Sequence, residues 1–117
     1  MRASMRLVAL TFAGGALGAA LRFSLTMVWD QFWTIIAINI VGAALLGWLA
    51  NSVRMGSAGW HAFLGTGFAG GFTSMSAVAF LFVQQLFVSP SIWPLLVLVA
   101  HLPVGAGAYW LVKKVTA

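Results

Sequence analysis

The sequence predicts an all-α membrane protein of four transmembrane helices, the third of them broken near its centre. Three observations predict it. Of 117 residues, 62% are hydrophobic and 6% are charged, a balance that belongs to chains folding in lipid. Four apolar runs are each long enough to cross, about 20 residues being needed. They are residues 7–27, 32–50, 60–87 and 92–112. The third is too long for one straight crossing, and at mid-depth it carries Gly65-Thr66-Gly67-Phe68-Ala69-Gly70-Gly71-Phe72-Thr73-Ser74-Met75-Ser76. Glycines and hydroxyls weaken a plain membrane helix, and irregular backbone survives in a bilayer only where protein or a polar cavity surrounds it. The break is therefore expected between residues 70 and 76, and the function with it. The whole chain, residues 1–117, reads as one domain.

Composition excludes several function classes. Cysteine and glutamate are absent, and Asp30 is the single carboxylate. No thiolate metal site, carboxylate metal cage or paired-carboxylate chemistry can be built. No nucleophile–base pair stands out, so an enzyme is not expected. The net charge of +5 comes from scattered cations at helix ends, which is the pattern of membrane topology rather than of nucleic-acid binding.

In the first span, Arg2 and Arg6 precede an apolar run, as in a signal peptide. The run is longer than a signal-peptide core, and its glycines are spaced for packing, so it reads as a helix that stays. Gly14 and Gly18 form a small-xxx-small pair suited to helix contact. Arg22 is the anomaly here. It either snorkels to the outer interface or supplies a fixed positive potential for an anion, since guanidinium keeps its charge. In the second span Asn39 sits at mid-depth. Its amide serves either an interhelical hydrogen bond or an anion shedding its hydration shell. In the third, Thr73, Ser74 and Ser76 either bond back to their own helix or line a polar strip beside freed carbonyls. Carbonyls suit a hard cation such as Na⁺, and hydroxyls suit an anion or water. In the fourth, Pro103 is expected to kink the helix. His101 is either a packed neutral imidazole or a vestibule group. His61, Gln84 and Gln85 read as interfacial, and Phe68, Phe72, Phe80 and Phe82 as packing.

Trp29, Trp33 and Trp93 mark one interface, and Trp48, Trp60 and Trp110 the other, because an indole joins an apolar body to one donor. Arg2, Arg6, Arg54, Lys113 and Lys114 all fall on one side of this four-span arrangement, so both termini are expected in the cytoplasm.

Together these features resemble the Fluc (CrcB) family of fluoride channels over nearly the whole chain. That family's first helix reads Gly-Gly-x-x-Gly-Ala-x-x-Arg-Tyr, which Gly14 through Phe23 match with Phe23 for tyrosine. Its second helix carries an asparagine and two later glycines, matched by Asn39, Gly42 and Gly47. The Gly-Thr that opens that motif is Thr34-Ile35 here. Its third helix reads Gly-Gly-Phe-Thr-Thr-Phe-Ser-Thr-Phe, and the chain has Gly70-Gly71-Phe72-Thr73-Ser74-Met75-Ser76-Ala77-Val78. The resemblance implies an antiparallel (inverted) dimer in the cell membrane. It implies a structural Na⁺ held at the dimer interface by backbone carbonyls, by position those of Gly70 and Thr73. It implies pores for fluoride export along that interface, with an anion pathway here of Asn39, Arg22, Thr73, Ser74, Ser76, Met75 and Val78.

Met75 and Val78 occupy the two phenylalanine positions whose ring edges are thought to meet fluoride. A thioether methyl offers a weak substitute and valine offers none. A strong cation asymmetry also conflicts with one sequence inserting both ways. Both departures have one explanation, a heterodimer with an oppositely oriented paralogue that keeps the phenylalanines. A non-conducting assembly subunit is the alternative. A small multidrug transporter is remote, since it needs a membrane carboxylate and Asp30 lies in a loop.

Overall fold

A computed structural model describes residues 2–51, 58–88 and 91–116. Arg54, most of the turn at residues 51–59, Ser89-Pro90 and the side chain of Arg2 lie outside the described residues. Among those described, four helical spans are long and apolar enough to cross a membrane: Ser4–Val28, Gln31–Ala50, Ala58–Val88 and Trp93–Val115. The protein is a multi-pass, all-α membrane protein. Its helices are α1 (Arg2–Val28), α2 (Gln31–Asn51), α3 (residues 58–72), α4 (Met75–Val88) and α5 (Trp93–Val115).

Each end has a local cause. Asp30 caps α2: its Oδ2 accepts the Trp33 N–H at 3.2 Å, and its charge lies at the positive end of the helix dipole. The only carboxylate is thereby used at an exposed interface. Helix α5 has a proline in its first turn and Lys113 and Lys114 in its last, where cations complement the carbonyl end. Those lysines sit 5.9 Å from the Tyr109 ring centre and 5.0 Å from that of Trp110, close enough for cation–π attraction. Helix α5 runs on through Pro103.

The third span is broken where expected, but not by its glycines. Helix α3 continues through Gly65, Gly67, Gly70 and Gly71, with His61–Ala69 wound as π-helix, a form that recurs at functional sites. The Gly70 N–H reaches the carbonyls of Gly65 and Gly67. No described glycine has a positive φ. The interruption is Thr73-Ser74, with Thr73 extended at φ −80°, ψ 155°.

The glycines instead let α1 and α3 touch backbone to backbone. A Cβ on Gly14 would strike the Phe63 carbonyl, and one on Gly18 the Phe68 carbonyl. From the other side, a Cβ on Gly67 would lie 2.7 Å from the Thr11 carbonyl oxygen, and one on Gly71 would strike the Gly15 carbonyl. Two glycine pairs, each spaced by four, therefore face each other. Lipid supplies no hydrophobic drive between helices, so close packing of this kind carries the association. Helix α2 pairs with α5 in the same manner, Gly47 lying against the Tyr109 carbonyl. Helix α4 packs only sparsely on α2 and α5, through a core of Ile35, Ile36, Val78, Leu81 and Leu98.

Candidate functional site

The break at Thr73-Ser74 organises the site. Ser74 is the N-cap of α4: its Oγ accepts the Ala77 N–H at 3.0 Å and lies 3.1 Å from the Ser76 hydroxyl. A serine in this place satisfies one of the unpaired N–H groups of a helix start. Asn39, from α2, clasps the backbone of Ser74. Its Oδ1 accepts the Ser74 N–H at 2.9 Å, and its Nδ2 donates to the Ser74 carbonyl at 3.4 Å. The same Nδ2 lies 3.5 Å from His101 Nε2. Gly42, one turn along α2, makes room for Thr73, whose methyl a Cβ there would strike.

The carbonyls of Gly70, Gly71, Phe72 and Thr73 lose their usual helical donors at the break; for Gly70 and Thr73 the lost donors can be traced. In an unbroken α-helix the Ser74 N–H would bond the Gly70 carbonyl, and the Ala77 N–H that of Thr73. Asn39 Oδ1 takes the first donor and Ser74 Oγ takes the second. Gly70 is exposed and Thr73 half-buried. These are the two carbonyls assigned to Na⁺ by resemblance, and carbonyl oxygens at the negative end of a half-helix are the right donors for a hard cation. The residues present fit such an ion.

Arg22 closes the other side of the same end. Its Nε donates to the Gly71 carbonyl at 3.2 Å. The guanidinium thus stabilises the carbonyl end of α3 from α1, rather than joining the groove that holds Asn39. Replacing it leaves that carbonyl without its charged donor, and Arg22→Ala is expected to lower stability by about 1.5–3 kcal/mol, read as a loss of thermal stability in detergent.

The groove beside the break has a volume of about 230 Å³ and is lined by Asn39, Thr73, Ser74, Met75, His101 and Gly105, among others. Asn39, Thr73, Ser74 and Met75 thus come together as expected, with Ser76 joined through its hydroxyl contact. The Thr73 hydroxyl bonds back to the Ala69 carbonyl at 2.7 Å. Met75 is 62% exposed, whereas Val78 is 6% exposed and belongs to the core with Leu81 and Leu98. Val78 borders a separate apolar groove with Phe82 and Leu98. His101 is the group that sequence reasoning left undecided. It is both buried, at 4% exposure, and part of the groove wall.

The chain matches the family described as CrcB-like protein, Camphor Resistance (CrcB), over residues 9–112. The chain belongs to the CrcB-like family. The match takes in the whole of the second and third spans, the break, and most of the first and fourth. It is also similar to the fluoride-specific ion channel FluC 1 of Rhodococcus jostii (strain RHA1), with 40% identity over 95 residues, covering 81% of this chain and 76% of that one. The FluC 2 channel of Bacillus subtilis (strain 168) is 40% identical over 94 residues, covering 75% and 71%. The FluC 1 channel of Corynebacterium glutamicum is 46% identical over 67 residues, and there the match spans 56% of this chain and 60% of the relative. Against this CrcB-like background, the clasp of Asn39 on Ser74 stands at the point where the third span breaks.

Proposed function

We propose that this chain is a subunit of a fluoride-selective channel in the cell membrane. The observation that carries the reading is the Asn39–Ser74 clasp inside a CrcB-like fold. It brings together an amide, a capped helix start and a hydroxyl pair near the middle of the second and third spans, beside a groove. Fluoride is small and strongly hydrated, and N–H and O–H donors are the groups that can replace its water. The start of α4 adds the positive end of a helix dipole.

The subunit works as half of an antiparallel dimer, with both its termini in the cytoplasm. Thr66, Gly70, Met75 and Ser76 are all exposed on the single chain at mid-span. Polar backbone and hydroxyls facing outward at that depth call for protein or water to cover them. A partner brought up in the opposite sense adds its own two carbonyls to those of Gly70 and Thr73 around one Na⁺. The partner is a paralogue that retains the two phenylalanines and carries its cations on the opposite loops. Met75 and the core position of Val78 support that division of labour, because neither offers an aromatic edge to the groove.

Reconstitution in liposomes tests this. The chain alone is expected to give little fluoride efflux, and co-production with such a paralogue is expected to give strong efflux with chloride excluded. Robust efflux from the purified chain alone would remove the need for a partner. The inward position of Val78 also favours a second reading, a non-conducting subunit that stabilises its partner and contributes only the carbonyls. In that case substitution of Asn39 leaves the flux of the pair unchanged.

A further inference from the structure

We infer that His101 is a positioning residue that stands in for the anion at Asn39. The inference rests on the reading of Asn39 as an anion ligand.

The backbone contact of the ring assigns its tautomer. His101 Nδ1 lies within hydrogen-bond reach of the Leu98 carbonyl, three residues back on α5. A carbonyl can only accept, so Nδ1 carries the proton. In the neutral ring Nε2 is then a bare acceptor, and it faces Asn39 Nδ2 at 3.5 Å. The amide cannot be turned over, because its Oδ1 is committed to the Ser74 N–H at 2.9 Å. Its NH₂ edge is thereby aimed at the imidazole and the groove.

The geometry is unequal in a useful way. The Oδ1 bond is of ordinary length, while the two distances from Nδ2, 3.4 and 3.5 Å, exceed the usual range of about 2.7–3.2 Å. The amide is firmly oriented through its oxygen and loosely held through its nitrogen. The Ser74 carbonyl takes one of the two Nδ2 protons; the other, left without an acceptor at this depth, would be costly. His101 removes that cost when the groove holds no anion. A fluoride ion is a charged acceptor and binds an N–H more strongly than a neutral ring nitrogen does. On arrival it takes the Nδ2 proton contact, and the imidazole releases it without moving.

The test uses the fluoride-exporting assembly containing this chain labelled with ¹⁵N-histidine, His61 being identified through His61→Gln. His101 is expected to show the tautomer protonated at Nδ1. Its Nε2 signal should shift towards that of a free acceptor on adding sodium fluoride, and stay put with sodium chloride. In flux, His101→Leu, which keeps bulk but offers no acceptor, is expected to slow efflux about tenfold, and His101→Gln to recover it to within about threefold. A ring protonated at Nε2 would overturn the proposal. So would an Nε2 signal blind to fluoride, or leucine and glutamine variants with equal flux, in an assembly that exports the ion. An assembly that exports no fluoride would instead remove the channel reading, and the exchange with it.

Discussion

Asn39→Ala is expected to remove two properties at once. The first is fluoride efflux, which should fall at least roughly tenfold in the reconstituted pair, since a hydrogen bond to a charged group contributes about 1.5–3 kcal/mol. The second is any stabilisation by Na⁺. With Oδ1 gone, the Ser74 N–H loses its partner and is free to turn to its ordinary helical acceptor, the Gly70 carbonyl. The cation ledge then loses one of its two oxygens. The check is efflux alongside thermal unfolding in Na⁺ and in a large organic cation. Wild-type protein should melt higher in Na⁺, and the variant should melt alike in both. Retained efflux would favour the assembly-subunit reading.

Glycine substitutions at the α1–α3 contact carry the largest expected cost to the fold. Gly18→Val and Gly71→Val each drive a side chain into a backbone carbonyl, that of Phe68 and that of Gly15. Neither obstacle is a side-chain tip that can swing aside. Overpacking commonly costs about 1–3 kcal/mol, and a clash with backbone belongs at or above the top of that range. Both variants should be lost as folded protein on gel filtration in detergent. Gly107 has nothing within 4 Å of its added Cβ, so Gly107→Ala in α5 is the control and should behave as wild type.

The spans were legible because twenty apolar residues in a row have few other uses, and the clustering of Asn39, Thr73 and Ser74 at the break because polar groups at mid-depth are costly. What could not be read was which residue makes the break. Gly70-Gly71 next to Thr73 suggested that glycine unwinds the helix. In fact Gly71 serves close packing against Gly15, and the unwinding is enforced by acceptors on other atoms: Asn39 Oδ1 for the Ser74 N–H, and Ser74 Oγ for the Ala77 N–H. Such diversions depend on a neighbour far away in sequence. Val78 shows the same limit. Its alignment with a pore phenylalanine is a matter of register, whereas its burial against Leu98 and Ile35 depends on how α4 is rotated. Arg22 was recognised as costly, yet its partner is a backbone carbonyl, which no residue type announces.

The backbone contact between α1 and α3 has a mechanical consequence. With no side chain between them, the two helices have little compliant material and behave as one stiff plate. Helix α4, touching its neighbours sparsely, is the compliant part, joined to that plate through Thr73-Ser74. The Gly70 oxygen rides on the plate and the serine hydroxyls ride on the compliant side. Relative motion is therefore expected to fall more on the serine hydroxyls than on the Gly70 oxygen, and in the channel proposed above that would suit the release of a passing ion on one side and the retention of a resident one on the other.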